Sequence, residues 1–247
     1  MISTRLGSLT AIIFSMVSMS LHAQSEQNEQ KKDNRFKVGI DLGYTNTSLN
    51  ANISNLVDSK YNSRGGFGVN ISAEMNVWKT LFVSTGVSYL QRNYEFERTG
   101  SREGWYSKYN NDFISVPLLV GGYLINNPYT ADGVWVKVAG GIYTEYWAKM
   151  KTEGQYPVFS ELQPDGSFNY TSVSEKYDFG KNENQLRRLS MGLQGQVQVG
   201  YSIDKIDVFA GYNYLYGLSD TYKYDSPGDK KITRDSHMIS IGAAYKF

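Results

Sequence analysis

The chain has 247 residues in which Lys+Arg 25 stand against Asp+Glu 24, so no broad electrostatic field would recruit nucleic acid or an acidic membrane surface. It contains no cysteine, which removes disulfides, thiolate chemistry and a lipid anchor on an amino-terminal cysteine. With 24 glycines and 20 tyrosines beside 5 prolines, the composition suits tightly packed strands bordered by aromatic girdles, and the negative mean hydropathy is compatible with a barrel, where only alternate residues meet lipid.

Residues 1–23 carry Arg5 ahead of an apolar stretch over 11–21 and a small residue, Ala23, before Gln24, the pattern of a cleaved secretory signal peptide. That stretch is too short for a spanning helix, which needs roughly 20 apolar residues, and no such run occurs elsewhere. Residues 24–34 are polar and aperiodic and read as a flexible periplasmic lead-in. Over 35–247 an every-second-residue apolar pattern recurs in eight segments, each near the roughly 9–11 residues of a tilted membrane strand.

The first segment, 35–44, sets Phe36, Val38, Ile40, Leu42 and Tyr44 against Lys37, Gly39, Asp41 and Gly43. The second, 66–77, sets Phe67, Val69, Ile71, Ala73, Met75 and Val77 against Asn70, Ser72, Glu74 and Asn76, and a tight turn follows at 78–80. The third, 81–91, alternates Leu81, Val83, Val87 and Tyr89 with Ser84, Gly86 and Ser88, and Phe82 and Leu90 break the pattern. The fourth, 112–123, carries Ile114, Val116, Leu118 and Val120, with Pro117 predicting an edge or a bulge because proline cannot donate to the ladder. The fifth, 134–147, points Val134, Val136, Val138, Ile142 and Tyr146 outward and Lys137, Ala139, Gly141 and Glu145 inward. The sixth, 188–201, is the cleanest, with Leu189, Met191, Leu193, Val197, Val199 and Tyr201 opposite a row of Ser, Gly and Gln. The seventh, 207–218, sets Val208, Ala210, Tyr212, Tyr214, Tyr216 and Leu218 against Gly211, Asn213 and Gly217, and the eighth runs to Phe247.

Connections are long after odd segments and shorter after even ones, the outer-membrane pattern of long extracellular loops and short periplasmic turns, with both termini periplasmic. The connection 124–133 is longer than a periplasmic turn usually needs. A soluble ligand-binding barrel would also alternate, but with its apolar face inward. The signal peptide, the loop asymmetry, the aromatic ending and the small or polar minority face together favour an all-β, eight-stranded antiparallel up-and-down transmembrane barrel, since strands in hydrocarbon must close to satisfy their amides. Small side chains on the inner face are expected to fill a lumen only just wide enough for them, closing it to conduction.

On that inner face Lys37, Asp41, Glu74, Lys137, Glu145 and Arg188 predict a salt-bridge and hydrogen-bond network, because buried charges need partners. The connection 148–187 spaces Tyr156, Phe159, Phe168, Tyr170, Tyr177 and Phe179 among polar residues; these either form a contact patch for a protein, glycan or ligand, or pack on one another in an extended hairpin. Tyr245 and Phe247 read as the signal recognised by the barrel-assembly machinery. The one histidine after residue 23, His237, rules out histidine-pair metal sites, and with Ser236 or Ser219 and Asp220 or Asp235 it makes a poor imitation of an acyl-transfer set, since Ser236 and His237 point to opposite faces. The expectation is a non-enzymatic, cofactor-free, monomeric barrel in outer-membrane lipid, with a binding or envelope-structural role through its extracellular loops.

The segments FKVGIDLGY, FISVPLLVGGY, VWVKVAGGIY and ISIGAAYKF resemble the PorT-like outer-membrane β-barrel family over nearly the whole of 24–247, most specifically at Ile114-Ser115-Val116-Pro117-Leu118-Leu119. The resemblance implies an eight-stranded barrel of the OmpA-like class. One branch of that family serves in type IX protein secretion, which makes an accessory role in a secretion machine the alternative reading.

Overall fold

The computed structural model describes residues 35–51, 57–100, 103–164, 166, 168–182, 184–223 and 231–247. The expected signal peptide and lead-in lie outside these residues. The chain forms β1 (Phe36–Asn50), β2 (Ser59–Trp78), β3 (Leu81–Gln91), β4 (Tyr94–Arg98), β5 (Tyr106–Ile125), β6 (Gly133–Leu162), β7 (Phe168–Lys176), β8 (Leu189–Ile203), β9 (Ile206–Gly217) and β10 (Thr233–Lys246). All pairings are antiparallel, and β1 pairs with both β2 and β10, so the sheet closes on itself. β3 and β4 each pair with β2 and β5 and are two halves of one stave, interrupted at Arg92 and Asn93. β7 pairs only with the far half of β6 and stands outside the ring, which therefore has eight staves.

The staves outrun the apolar segments. β1 continues to Asn50, β2 begins at Ser59, β5 begins at Tyr106 and β6 reaches Leu162. Apolar alternation reports where lipid touches the sheet, whereas the hydrogen-bond ladder needs only pairing and continues into water with polar residues on both faces. The connection 148–187 is accordingly a long hairpin of β6 and β7 followed by a shorter return.

Pro117 marks neither an edge nor a bulge. β5 is interior, and its register with β3 is the same on both sides of the proline, Thr85↔Leu118 and Ser88↔Ser115, with the pairs between them missing. The ladder simply opens for two positions, and the Thr85 hydroxyl donates to the Pro117 carbonyl at 2.8 Å, replacing one lost bond.

One band of the outer surface is apolar, with Ile40, Leu42, Ile71, Leu118, Val120 and Ile142 all more than half exposed. Tyr44, Phe67, Tyr212 and Tyr216 border it at the loop end, and Trp78, Tyr201, Tyr245 and Phe247 border it at the turn end. An apolar patch of that extent has no place in water and matches a lipid belt between two aromatic girdles.

The lumen departs from the expectation of small side chains. Trp135, Trp147, Tyr143, Phe82 and Phe113 all point inward and are fully buried, in clusters that follow one another along the axis. They fit because a glycine faces them on the adjacent stave: Trp135 pairs with Gly200, Tyr143 with Gly192 and Phe82 with Gly121. A Cβ on Gly200 would lie 2.4 Å from the Trp135 ring, and one on Gly192 would lie 2.5 Å from Tyr143. Rings thus lie over bare backbone, as in aromatic rescue of strand glycines. Gly200→Ala is therefore expected to destabilise the barrel by about 1–3 kcal/mol through overpacking. Gly195→Ala, where an added Cβ meets nothing within 4 Å, should leave denaturant unfolding in lipid vesicles unchanged.

The long connection at the turn end corks the lumen. Tyr129 reaches in to donate to Glu74 Oε1 at 3.1 Å, and the Pro128 carbonyl accepts from Lys246 Nζ at 2.8 Å. Its extra length supplies these two contacts.

Candidate functional site

The inner-face charges separate into two layers. At the turn end Glu74 accepts from Lys137 and Tyr123, and Lys37 lies 3.3 Å from its Oε1. Lys37 also pairs with Asp207 at 3.1 Å, and Lys246 approaches the other Asp207 oxygen at 3.3 Å. The rings of Tyr123, Tyr129 and Trp135 surround Lys37 Nζ at 5.0–5.4 Å, and cation–π attraction replaces part of its hydration. All five charged groups are buried. Three lysines, two carboxylates and three aromatic faces form a buried plug in which each charge lies beside an opposite one.

Nearer the loop end, Arg92 is completely buried and pairs with Glu145 at 2.6 Å. Its Nε donates to Ser236 Oγ at 2.8 Å and its Nη2 to the Arg234 carbonyl at 2.8 Å. The second Glu145 oxygen accepts from Ser190 at 3.0 Å. Between the layers, Asn70 donates to Asp41 at 2.9 Å. The structure thus brings Lys37, Glu74 and Lys137 together, places Glu145 in a separate cluster and leaves Asp41 between them. Arg188 belongs to neither: it is half-buried, donates to the Trp147 carbonyl at 3.3 Å and lies over Tyr146 and Phe179.

Sequence reading missed Arg92, Arg234, Asp207 and Lys246. Arg92 continues the inward parity of Phe82, Ser84, Ser88 and Leu90 one step past the segment's end, and Arg234 continues that of Met238 and Ser236. Following the polar face beyond the apolar run is the signal that finds both.

The six loop aromatics do not form one patch. Tyr177 and Phe179 fold inward against Trp147 and Phe113, with Phe179 buried. Tyr156 shares a hydrogen bond with Ser107 at 2.9 Å, and Tyr170 donates to the Glu103 carbonyl at 2.7 Å. Phe168 lies half-buried on β7, and the Phe159 side chain is outside the described ones. In the return segment, the amides of Gly180 and Lys181 donate to Asp178 and hold its carboxyl below the usual range.

Above the Arg92 layer a cavity of about 220 Å³ opens at the loop end, walled by Tyr61, Tyr94, Tyr109, Tyr177, Tyr222 and Trp147 together with aliphatic side chains. Tyr94 stacks on Tyr109 at 4.8 Å and meets Tyr61 edge-on at 6.1 Å. Burial pushes the Tyr61 hydroxyl up to about 12, so it stays a neutral phenol at ordinary pH.

His237 faces outward, stacked on Tyr214 and Tyr212, and its Nδ1 shares a hydrogen bond with Tyr212 at 2.6 Å. Ser236 faces the lumen between Thr47 and Arg92, Ser219 accepts from the Met191 amide, and Asp220 accepts from the amides of Tyr222 and Ile232. Asp235 accepts from Asn50, Tyr214 and the Gly217 amide. The candidate acyl-transfer groups are thus engaged with other partners. At the seam, the Phe247 amide donates to the Phe36 carbonyl at 2.9 Å, while its ring meets Tyr245 on the outer surface.

A closed eight-stave ring with an apolar belt, two aromatic girdles and a plugged lumen defines a transmembrane β-barrel. Residues 22–223 match the family described as outer membrane protein beta-barrel domain, and the chain belongs to that family. It is an outer-membrane protein. Neisserial surface protein A is similar at 15% identity, covering 86% of this chain and 97% of that one, with a TM-score of 0.45. OprG from Pseudomonas aeruginosa is similar at 12% identity over 87% and 97%, with a TM-score of 0.47. The outer membrane protease OmpT from Escherichia coli is similar at 11% identity over 90% and 99%, with a TM-score of 0.48. At these values the likenesses carry no statement about activity. No curated protein sequence matches the chain.

Proposed function

We propose that the chain is a sealed, non-enzymatic, monomeric barrel that works by binding at its extracellular end, its membrane segment serving as an anchor. The observation that carries this reading is the double plug: the Lys37–Glu74–Lys137–Asp207–Lys246 layer and the Arg92–Glu145 layer, with aromatic clusters along the same axis, occupy the space that a conducting path would need. Beyond the belt the same staves build the β6–β7 hairpin and the tyrosine-lined cavity, the surface where a protein or glycan partner would bind. In planar bilayers the purified protein should show no reproducible large channels; stepwise nanosiemens openings would sink the sealed-barrel reading. His237→Ala should leave the lipid A profile of the producing cell unchanged, and a shift in acylation would restore the enzyme reading. Tyr245 and Phe247, outward-facing at the seam that closes last in chain order, are proposed as the assembly signal.

A second reading, an accessory barrel of type IX secretion, is supported by the PorT-like strand Ile114–Leu119 and by the edge of β7 over 170–176, which faces no further strand among the described residues and could accept one from another protein. It predicts that cross-linking from β7 in intact cells yields secretion-machine subunits; recovery of the barrel alone would count against it.

A further inference from the structure

The extracellular cavity has a feature its aromatic wall does not explain. Trp147, which lines it, carries the Arg234 guanidinium at 4.1 Å on its ring, and Phe113 carries the same group at 5.2 Å. Arg234 is buried, and its Nε and Nη2 have no hydrogen-bond partner among the described residues. Those two nitrogens share one edge of the guanidinium plane, the edge that receives a carboxylate through two parallel bonds. Thr221, also in the cavity wall, has a buried Oγ1 that likewise has no partner among the described residues. The carboxylate of the adjoining layer, Glu145, bonds Arg92 through one oxygen and Ser190 through the other, and does not meet the free edge of Arg234. A buried guanidinium left with an empty fork is costly, and so is a buried hydroxyl without a partner. Thr221 lines the cavity, and Arg234 lies directly behind it, against the ring of Trp147, one of the cavity's walls.

The cavity's size and walls narrow what could meet them. At about 220 Å³ it is smaller than the roughly 300–1,000 Å³ of sites for drug-sized ligands. Stacked and edge-on phenol rings offer faces for one further ring, not for a chain of sugars or a peptide. We infer that this cavity is a binding site for a small monocyclic aromatic carboxylate, its ring held among Tyr94, Tyr109 and Trp147 and its carboxylate received by Arg234 and Thr221. The inference rests on the reading of the extracellular end as the binding end and gives that end a ligand class. Both donors are closed to solvent, so a carboxylate reaches them with a shift of the side chains that separate the guanidinium from the cavity.

The test uses the full-length barrel in lipid nanodiscs and fluorine NMR titration with 4-fluorophenylacetate and its neutral counterpart, 4-fluorophenylacetamide. The acid should bind saturably and at least about tenfold more tightly than the amide, the ratio expected when one charged hydrogen-bonded contact is lost. Arg234→Met should bring the acid down to the affinity of the amide. Leu49→Trp, which fills the cavity from β1 and leaves Arg234 in place, should abolish binding of both. Equal binding of acid and amide, no saturable binding of either, or binding of the acid that survives Leu49→Trp would each overturn the inference. Should Arg234→Met not fold, the acid and amide comparison on the unaltered protein and the Leu49→Trp variant still decide. A failed titration in a barrel that remains silent in planar bilayers removes the ligand and leaves the sealed-barrel reading standing. Large channels in a barrel that still binds the acid would do the reverse.

Discussion

Replacing Glu145 with alanine is expected to destabilise the folded barrel by about 3–5 kcal/mol, because it leaves the Arg92 guanidinium buried without the carboxylate that pairs with it. The size of the effect reflects location. Arg92 has no exposed surface, so its charge is satisfied by Glu145, Ser236, the Tyr143 hydroxyl and the Arg234 carbonyl. Guanidinium unfolding in lipid vesicles measures the loss. The exposed pair Lys60 and Glu97, at 2.6 Å but largely in solvent, supplies the contrast: Lys60→Ala should cost less than about 1 kcal/mol. The double variant Arg92→Met with Glu145→Leu removes both charges of the pair and should recover most of the stability lost in Glu145→Ala, since an apolar pair of similar size avoids the desolvation cost. A Glu145→Ala protein no weaker than Lys60→Ala would mean that water enters the lumen and screens this layer.

Glu74→Ala should be at least as damaging, with a loss of about 3–5 kcal/mol or failure to reach the compact, heat-modifiable form on cold SDS gels. Glu74 is the one acceptor shared by Lys137, Lys37, Tyr123 and Tyr129, and its removal leaves Lys37, Lys137 and Lys246 crowded around Asp207 alone. Like-charge repulsion in a low-dielectric lumen favours movement of the lysines toward the turn end. The same variant, where it folds, should therefore loosen the turn-end cork by freeing Tyr129 and the connection that carries it. Increased protease cleavage within 126–132 would report that loosening. Adding Lys137→Met should restore the folded band, because it removes the charge that Glu74 contacts most closely. Full stability of Glu74→Ala on its own would remove the argument that this layer seals the barrel.

Much of this architecture is legible in the chain because a β-barrel in lipid writes its geometry into alternate residues. Val38, Ile40 and Leu42 on one parity and Lys37 and Asp41 on the other say which face meets hydrocarbon, and eight such runs of membrane height state the number of staves. The same logic has a blind spot. It reads outward residues by their apolarity and assigns the remainder inward, so Phe82 and Leu90 look like errors in the pattern when they are inner-face packing. It also stops counting when lipid stops, which is why Arg92 and Arg234, one or two steps beyond the apolar runs, escape it.

The sequence by itself determined the class of the fold, the order of its staves and the parity of its faces, because these depend on period-two alternation and on connection length, both properties of a single stretch of chain. Only the tertiary structure decided which inward residues meet. Trp135 over Gly200, Arg92 against Glu145 and Lys37 among Glu74, Asp207 and three rings are contacts across register, between residues tens to more than a hundred positions apart. Register and closure set those pairings through the full ring of hydrogen bonds, and no local pattern encodes them. The cavity walled by Tyr94 and Trp147, with Arg234 behind the Trp147 ring, exists for the same reason: it is the space left when distant staves, each legible alone, close around one axis.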